Sequence, residues 1–352
     1  MTTAYLTDTR FAIHTLPGHP ENATRLESVQ KVMNDSGTAA RCLKIAPLRV
    51  TDEQILRVHD PDYLDLMKRT ESFGEGVMLG ADTYVLPDSF EAARYSAGGG
   101  VAAVDAIFTG KADNALVATR PPGHHAVIAT GMGFCLLSNV AITARHAQQA
   151  YPKQVKKVMI VDYDVHHGNG TEDVFYEDPS VLFVSTHQHP WYPPGKGFAR
   201  DIGRGDGVGF NLNMPLPSGV GDEGFKALYN QVLWGMAERF QPDLIILSAG
   251  FDAHWAESHT LGQLKLSLSG YAWLTREVKT MAEKLCNGRL IVVMEGGYNL
   301  TVLSNGMTNA ARVLLDAPDQ FELLDPLGMA SRQLPAHILD GLIAELKGLH
   351  HL

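Results

Sequence analysis

Short, nearly unbroken apolar runs recur along the chain, at Ala115 to Thr119, Val158 to Asp162, Val181 to Thr186, Leu244 to Ser248 and Leu290 to Met294. Strands buried on both faces read this way, so these runs predict a parallel sheet. Between them the apolar spacing becomes helical. Phe225, Leu228, Tyr229, Val232, Leu233, Met236 and Phe240 share one helical face, with Asp222 as the expected cap and Gln241-Pro242 as the stop. Tyr271, Leu274, Val278, Met281 and Leu285 line a second helix, which Asn287-Gly288 should end. A third is expected from Pro87-Asp88-Ser89 to near Gly110, weakened by Gly98-Gly99-Gly100 unless another segment packs closely there. Alternating strands and helices predict an α/β fold, a three-layer α/β/α arrangement around a mainly parallel sheet. The Gly- and Pro-rich stretch from Tyr192 to Gly221 reads as a long surface loop, and His350-His351 as a solvated tail.

Composition narrows this picture only in places. The chain has 352 residues with 45% apolar and 19% charged, and it shows no repeat or linker, so one large domain over residues 1–352 is expected. A net charge of −10 argues against a general nucleic-acid binder, which needs clustered Lys and Arg to neutralise phosphates. Cys42, Cys135 and Cys286 lack pair spacing, which disfavours a disulfide framework and suggests a reducing compartment. With no leader-like N-terminus and no apolar run near 18 residues, a cytoplasmic protein without a membrane partner is expected.

The polar clusters follow the apolar runs directly. Arg120-Pro121-Pro122-Gly123-His124-His125, Asp162-Tyr163-Asp164-Val165-His166, Ser248-Ala249-Gly250-Phe251-Asp252-Ala253-His254 and Glu295-Gly296-Gly297-Tyr298 each stand where a predicted strand ends. Ligand crevices in open α/β sheets lie at the carboxyl ends of strands, so these segments should converge. Asp162, Asp164 and His166 alternate. In an extended chain such residues share a face about 6.6 Å apart, which lets Asp164 and His166 meet on one metal ion. Asp252, from another strand, is the best third ligand for a catalytic site that keeps one position open. His124 and His125, on a turn constrained by two prolines, can move a proton. Asp162 can orient one of them, and Tyr298 can stabilise an oxyanion. The remaining histidines, His14, His19, His59, His187, His189, His254 and His259 among them, read as structural or surface residues.

These segments, together with Gly133-Phe134-Cys135 and the Gly168-Asn169-Gly170 that follows His166-His167, resemble the zinc-dependent histone deacetylase family of the arginase/deacetylase fold. His19-Pro20-Glu21 with Arg25-Leu26, and His59-Asp60-Pro61-Asp62-Tyr63, look like that family's N-terminal motifs. The resemblance implies Zn2+ on Asp164, His166 and Asp252, His125 as general base, His124 as an electrostatic partner held by Asp162, and Tyr298 polarising an amide carbonyl. It also implies K+ near Asp162 and Ser185. Asn169 would stand behind His125, as in the class II and bacterial amidohydrolase branch. Gly133 and Phe134 would line an acyl-lysine channel opposite Trp191 or Tyr192, with Asp82 and Leu261 at its rim. Leu261 gives a neutral wall where an acid would favour polyamines. The expected activity is removal of acetyl or short acyl groups from lysine, in a peptide, a protein or a small amine. An acetylpolyamine amidohydrolase is the enzyme alternative, with a two-manganese ureohydrolase further off. A silent acyl-lysine binding module is the alternative from another class.

Overall fold

The computed structural model describes residues 1–316 and 322–352. Its centre is an eight-stranded sheet, every pairing parallel. The strands are β1 (Thr3–Leu6), β2 (Leu43–Ile45), β5 (Asn114–Val117), β6 (Val158–Asp162), β7 (Val181–Gln188), β8 (Asn211–Leu216), β9 (Leu244–Ala249) and β10 (Leu290–Met294). They run in the order β2-β1-β5-β10-β9-β6-β7-β8. A separate antiparallel pair, β3 (Val77–Leu79) and β4 (Thr83–Val85), lies outside that sheet. The apolar runs at β6 and β10 are strands over their whole predicted length, because every residue in them is buried. Helices flank the sheet: Ser89–Phe108 packs with Asn139–Ala150, and Leu300–Leu314 packs with Thr24–Asp35 and Leu268–Cys286. None of the helices among the described residues is long and apolar enough to cross a membrane.

The triple glycine of helix Ser89–Phe108 is where other segments close in. A Cβ on Gly98 would lie 1.6 Å from the Leu48 carbonyl oxygen, and one on Gly100 would lie 1.9 Å from Thr143 Oγ1. The lost helix propensity is exchanged for close packing of two neighbours.

Several expectations need correction. Helix Asp222–Leu228 continues through a π turn at Tyr229–Leu233 into Trp234–Phe240, and its N-cap is Gly221. Asp222 instead accepts hydrogen bonds from the Ser267 amide and hydroxyl, at 2.9 and 2.7 Å, fastening the start of the next long helix. The stretch from Tyr192 to Gly221 is not all loop. It contains β8, whose Asn211, Asn213 and Pro215 break the apolar signal. Finally, His350 is buried, its carbonyl accepting from Arg239 at the end of helix Asp340–His350.

Candidate active site

The chemistry-bearing segments emerge from β5, β10, β9 and β6, which are consecutive in the middle of the sheet. Adjacency of parallel strands therefore brings together residues as far apart in sequence as His124 and Tyr298. Asp164, His166 and Asp252 converge by a different geometry from simple alternation. β6 stops at Asp162, and the chain bends through residues 164–166, so a turn turns Asp164 and His166 toward each other. His166 Nδ1 lies 3.0 Å from Asp164 Oδ1 and 3.4 Å from Asp252 Oδ2. Asp252 Oδ1 accepts the Val165 amide at 2.9 Å, while its buried Oδ2 has no hydrogen-bond partner.

The cluster sets two carboxylates against a single imidazole. Burial and the Asp164 charge push the Asp252 carboxyl up to about 6. Burial would lower His166, but its contacts with Asp164 and Asp252 outweigh that and hold it at about 9. Two buried carboxylates and an imidazole nitrogen, with ligand atoms within 4.8 Å of one another, form a donor set that suits a divalent ion. Glycines make room: a Cβ on Gly296 would sit 2.2 Å from Asp252 Oδ2, and one on Gly250 1.9 Å from Asp164 Oδ2. A second convergent trio, His124, Cys135 and Glu295, is occupied internally. Glu295 Oε2 accepts the Gly123 and His124 amides at 2.7 and 3.2 Å, and the His125 amide points to Cys135 Sγ at 3.4 Å.

The two histidines have opposite surroundings. His124 Nδ1 donates to Asp162 Oδ2 at 2.9 Å, whereas His125 Nδ1 donates to Asn169 Oδ1 at 2.7 Å. Burial disfavours charge on both. For His124 the Asp164 and Asp162 carboxylates overcome it and raise the imidazole to about 10. For His125 burial is reinforced by the charges of His124 and His166, which keep it well below the usual histidine range and neutral. Burial also drives Tyr298 well above the usual phenol range, leaving a protonated hydroxyl able to donate.

A cleft of about 450 Å³ leads to these groups, and Asp82, Gly133, Phe134, Trp191, Tyr192 and Leu261 all border it. Asp82 Oδ1 accepts the Gly133 amide at 3.3 Å, and Thr83 Oγ1 accepts the Phe134 amide at 2.9 Å. These bonds brace Phe134, whose φ of 70° is costly for a residue with a side chain. Trp191 and Tyr192 divide the remaining work. Tyr192 stands edge-on to His125, ring centres 5.0 Å apart, while Trp191 Nε1 donates to the Leu261 carbonyl at 3.0 Å.

The sequence shows the supporting residues as motif letters but not what they do. Arg25 lies over the Tyr298 ring at 4.7 Å, and its guanidinium donates to the Gly297 carbonyl at 2.8 Å. Arg25 and Arg120 both pair with buried Glu21. Glu295 steadies the His124 turn from below. Apart from the Arg25–Glu21 pair, four residues apart, these contacts span about a hundred residues or more and leave no periodic signal, although the residues themselves stand within the motifs.

Residues 19–314 match the histone deacetylase domain. The chain is 40% identical over 283 residues to a histone deacetylase-like amidohydrolase of Pseudomonas aeruginosa, covering 80% of this chain and 73% of that protein. It is 38% identical over 331 residues to histone deacetylase HDA1 of Saccharomyces cerevisiae, covering 88% of this chain but only 46% of the yeast protein, about half its length. The crystal structure of the HDA15 HD domain superposes with a TM-score of 0.87 at 34% identity, covering 99% of this chain and 94% of that one. With the domain match spanning most of its length and the fold shared throughout, the chain belongs to the histone deacetylase family of amide-bond hydrolases.

Proposed function

We propose that the protein is a zinc-dependent amidohydrolase that removes acetyl or other short acyl groups from the ε-amine of lysine, in peptides, proteins or small molecules. The observation that carries this reading is the meeting, at one narrow cleft, of a three-donor ligand set, a neutral histidine and a protonated phenol. Asp164, His166 and Asp252 would hold zinc, whose Lewis acidity would act on the acyl carbonyl and on the attacking water. His125 takes the proton of that water. Its Nδ1 hydrogen is committed to Asn169, so the Nε2 lone pair is left for the reaction. The same nitrogen then protonates the departing amine. His124, held cationic by Asp162 and Asp164, adds positive charge where the oxyanion develops, and Tyr298 donates a hydrogen bond to it. The aliphatic part of lysine suits walls built from Gly133, Phe134 and Tyr192. Leu261 offers no charge to a polyamine, which places acyl-lysine ahead of acetylpolyamines. Asp162 and Ser185, in register on neighbouring strands, are the groups beside which potassium belongs in this reading.

The test is a panel of acetyl-lysine peptides, longer acyl-lysines and acetylpolyamines assayed on zinc-loaded protein. Hydrolysis of none of them would sink the proposal, and a preference for polyamines would reassign the substrate. Tyr298→Phe should cut kcat by about 100- to 1,000-fold, the scale of a lost oxyanion donor, while peptide affinity measured by calorimetry stays within a small factor. An unaltered kcat would remove Tyr298 from the chemistry.

A further inference from the structure

Glu257 lies on the loop that joins Asp252 to Leu261, and it is only 7% exposed. Its carboxylate is spent wholly on backbone. Oε2 accepts the amides of Tyr298 and Asn299 at 2.7 and 2.9 Å, and Oε1 accepts the amide of Ser258 at 2.9 Å. Asn299 returns the contact, donating its side-chain amide to the Ala256 carbonyl at 2.9 Å while its own oxygen caps helix Leu300–Leu314. The rim loop continues the connection. The Leu261 amide bonds to the Ser258 carbonyl at 2.9 Å, and the Leu261 carbonyl receives Trp191 Nε1. One line of hydrogen bonds thus runs from Trp191, through Leu261, Ser258 and Glu257, to the backbone of Tyr298.

Tyr298 needs such an anchor because Gly297, which precedes it, has a φ of 108° and no side chain to stiffen the turn. Arg25 holds the segment from one side and is itself fixed in a buried ion cluster. Glu257 holds it from the other side, and Glu257 belongs to the loop that borders the substrate cleft. A charged acceptor on three amides is the strong form of such a clamp. We propose that Glu257 is the positioning residue of Tyr298, coupling the placement of its phenol to the cleft wall at Leu261. This rests on the reading of Tyr298 as the group that donates to the developing oxyanion. An acyl group that displaces Leu261 then moves the phenol as well, so acyl selectivity enters through kcat rather than through binding.

The experiment compares Glu257→Gln with the parent, both full-length and zinc-loaded, on an acetyl-lysine peptide and its trifluoroacetyl counterpart. Glutamine keeps one oxygen but loses the charge and turns a donor toward an amide. The kcat for the acetyl peptide should fall about 10- to 100-fold, the cost of a misplaced catalytic group, with KM within about twofold and one zinc retained. The trifluoroacetyl peptide, whose fluorines already withdraw density from the carbonyl, should lose less than about threefold because it asks less of the phenol. In the double variant with Tyr298→Phe, the two losses should not multiply. Equal losses on both peptides, multiplying losses or an unchanged kcat would each overturn the proposal. Tyr298→Phe alone reports on the catalytic reading separately. If Glu257→Gln does not fold, Trp191→Phe cuts the far end of the same line and should show the same acetyl-selective loss at smaller size. Its failure to do so would count equally against the coupling.

Discussion

Glu21, Arg25 and Arg120 are buried as completely as Asp164 and Asp252, yet the two groups settle their charge in different ways. Around Glu21 the chain supplies its own cations. Burial would raise that carboxyl, but Arg120 first, with His14 and then Arg25, outweighs it and brings it down to about 2. Around Asp252 the chain supplies another carboxylate, and the group rises to about 6. The first cluster is finished by two guanidinium groups; in the second, two carboxylates share one imidazole, and Asp252 Oδ2 makes no hydrogen bond and faces His166 Nδ1 at 3.4 Å. Burial of charge alone therefore does not mark a functional site. What marks it is charge that the protein has not neutralised.

The largest expected effect is on the unfinished cluster. Asp252→Asn should lower zinc below one per chain and reduce turnover by about four orders of magnitude or more, as loss of Lewis-acid stabilisation worth several kcal/mol requires. In chelator-treated protein the same change should leave the thermal midpoint unchanged or raise it, since it removes one of two like charges. A large drop there would mean that Asp252 is already compensated and would erase the contrast. Next comes Glu21→Gln, which strands two guanidinium groups in the interior and should cost about 3–5 kcal/mol by denaturant unfolding, with or without zinc. A loss under about 1 kcal/mol would show that Glu21 is not what balances the arginines.

The smallest effect is one of pH. His14 Nε2 lies 3.5 Å from Glu21 Oε2, and burial first, with Arg120 acting in the same direction, lowers this histidine to about 3 despite the attraction of Glu21. The unfolded chain, with an ordinary histidine, takes up the proton near pH 6.5, so stability is intact above about 6.5 and falls as pH drops toward 3. His59, lowered to about 4 by burial, adds to the same slope. Unfolding free energy measured from pH 7 to 4 should decline less steeply in His14→Gln than in the parent. Identical slopes would exclude His14 as a contributor.

The parts legible in the sequence were those where local pattern and final environment agree. Apolar runs such as Leu290–Met294 become central strands because both faces are covered, and the polar residues after them meet because the strands are adjacent. That Asp164, His166 and Asp252 converge could be read from the letters alone, but the bend after Asp162 could not, since an alternating pattern reads equally well in an extended chain. β8 was hidden because Asn211 and Asn213 both donate to buried Glu172, a polar interior that mimics a loop in sequence. Glu257 left no trace, because its partners are backbone amides that any residue carries.

The sheet order has a consequence for how the molecule comes into being. β10 is the last strand among the described residues, yet it sits between β5 and β9, with Ile291 opposite Ala115 on one side and Ile246 on the other. During synthesis both strands beside that slot, β5 by far the earlier, are made before the strand that joins them, leaving two apolar edges open to aggregation. Nascent chains stalled before Leu290 should therefore depend on chaperones. They also lack Tyr298, so the strand that seals the sheet is followed directly by the phenol on which the proposed chemistry depends.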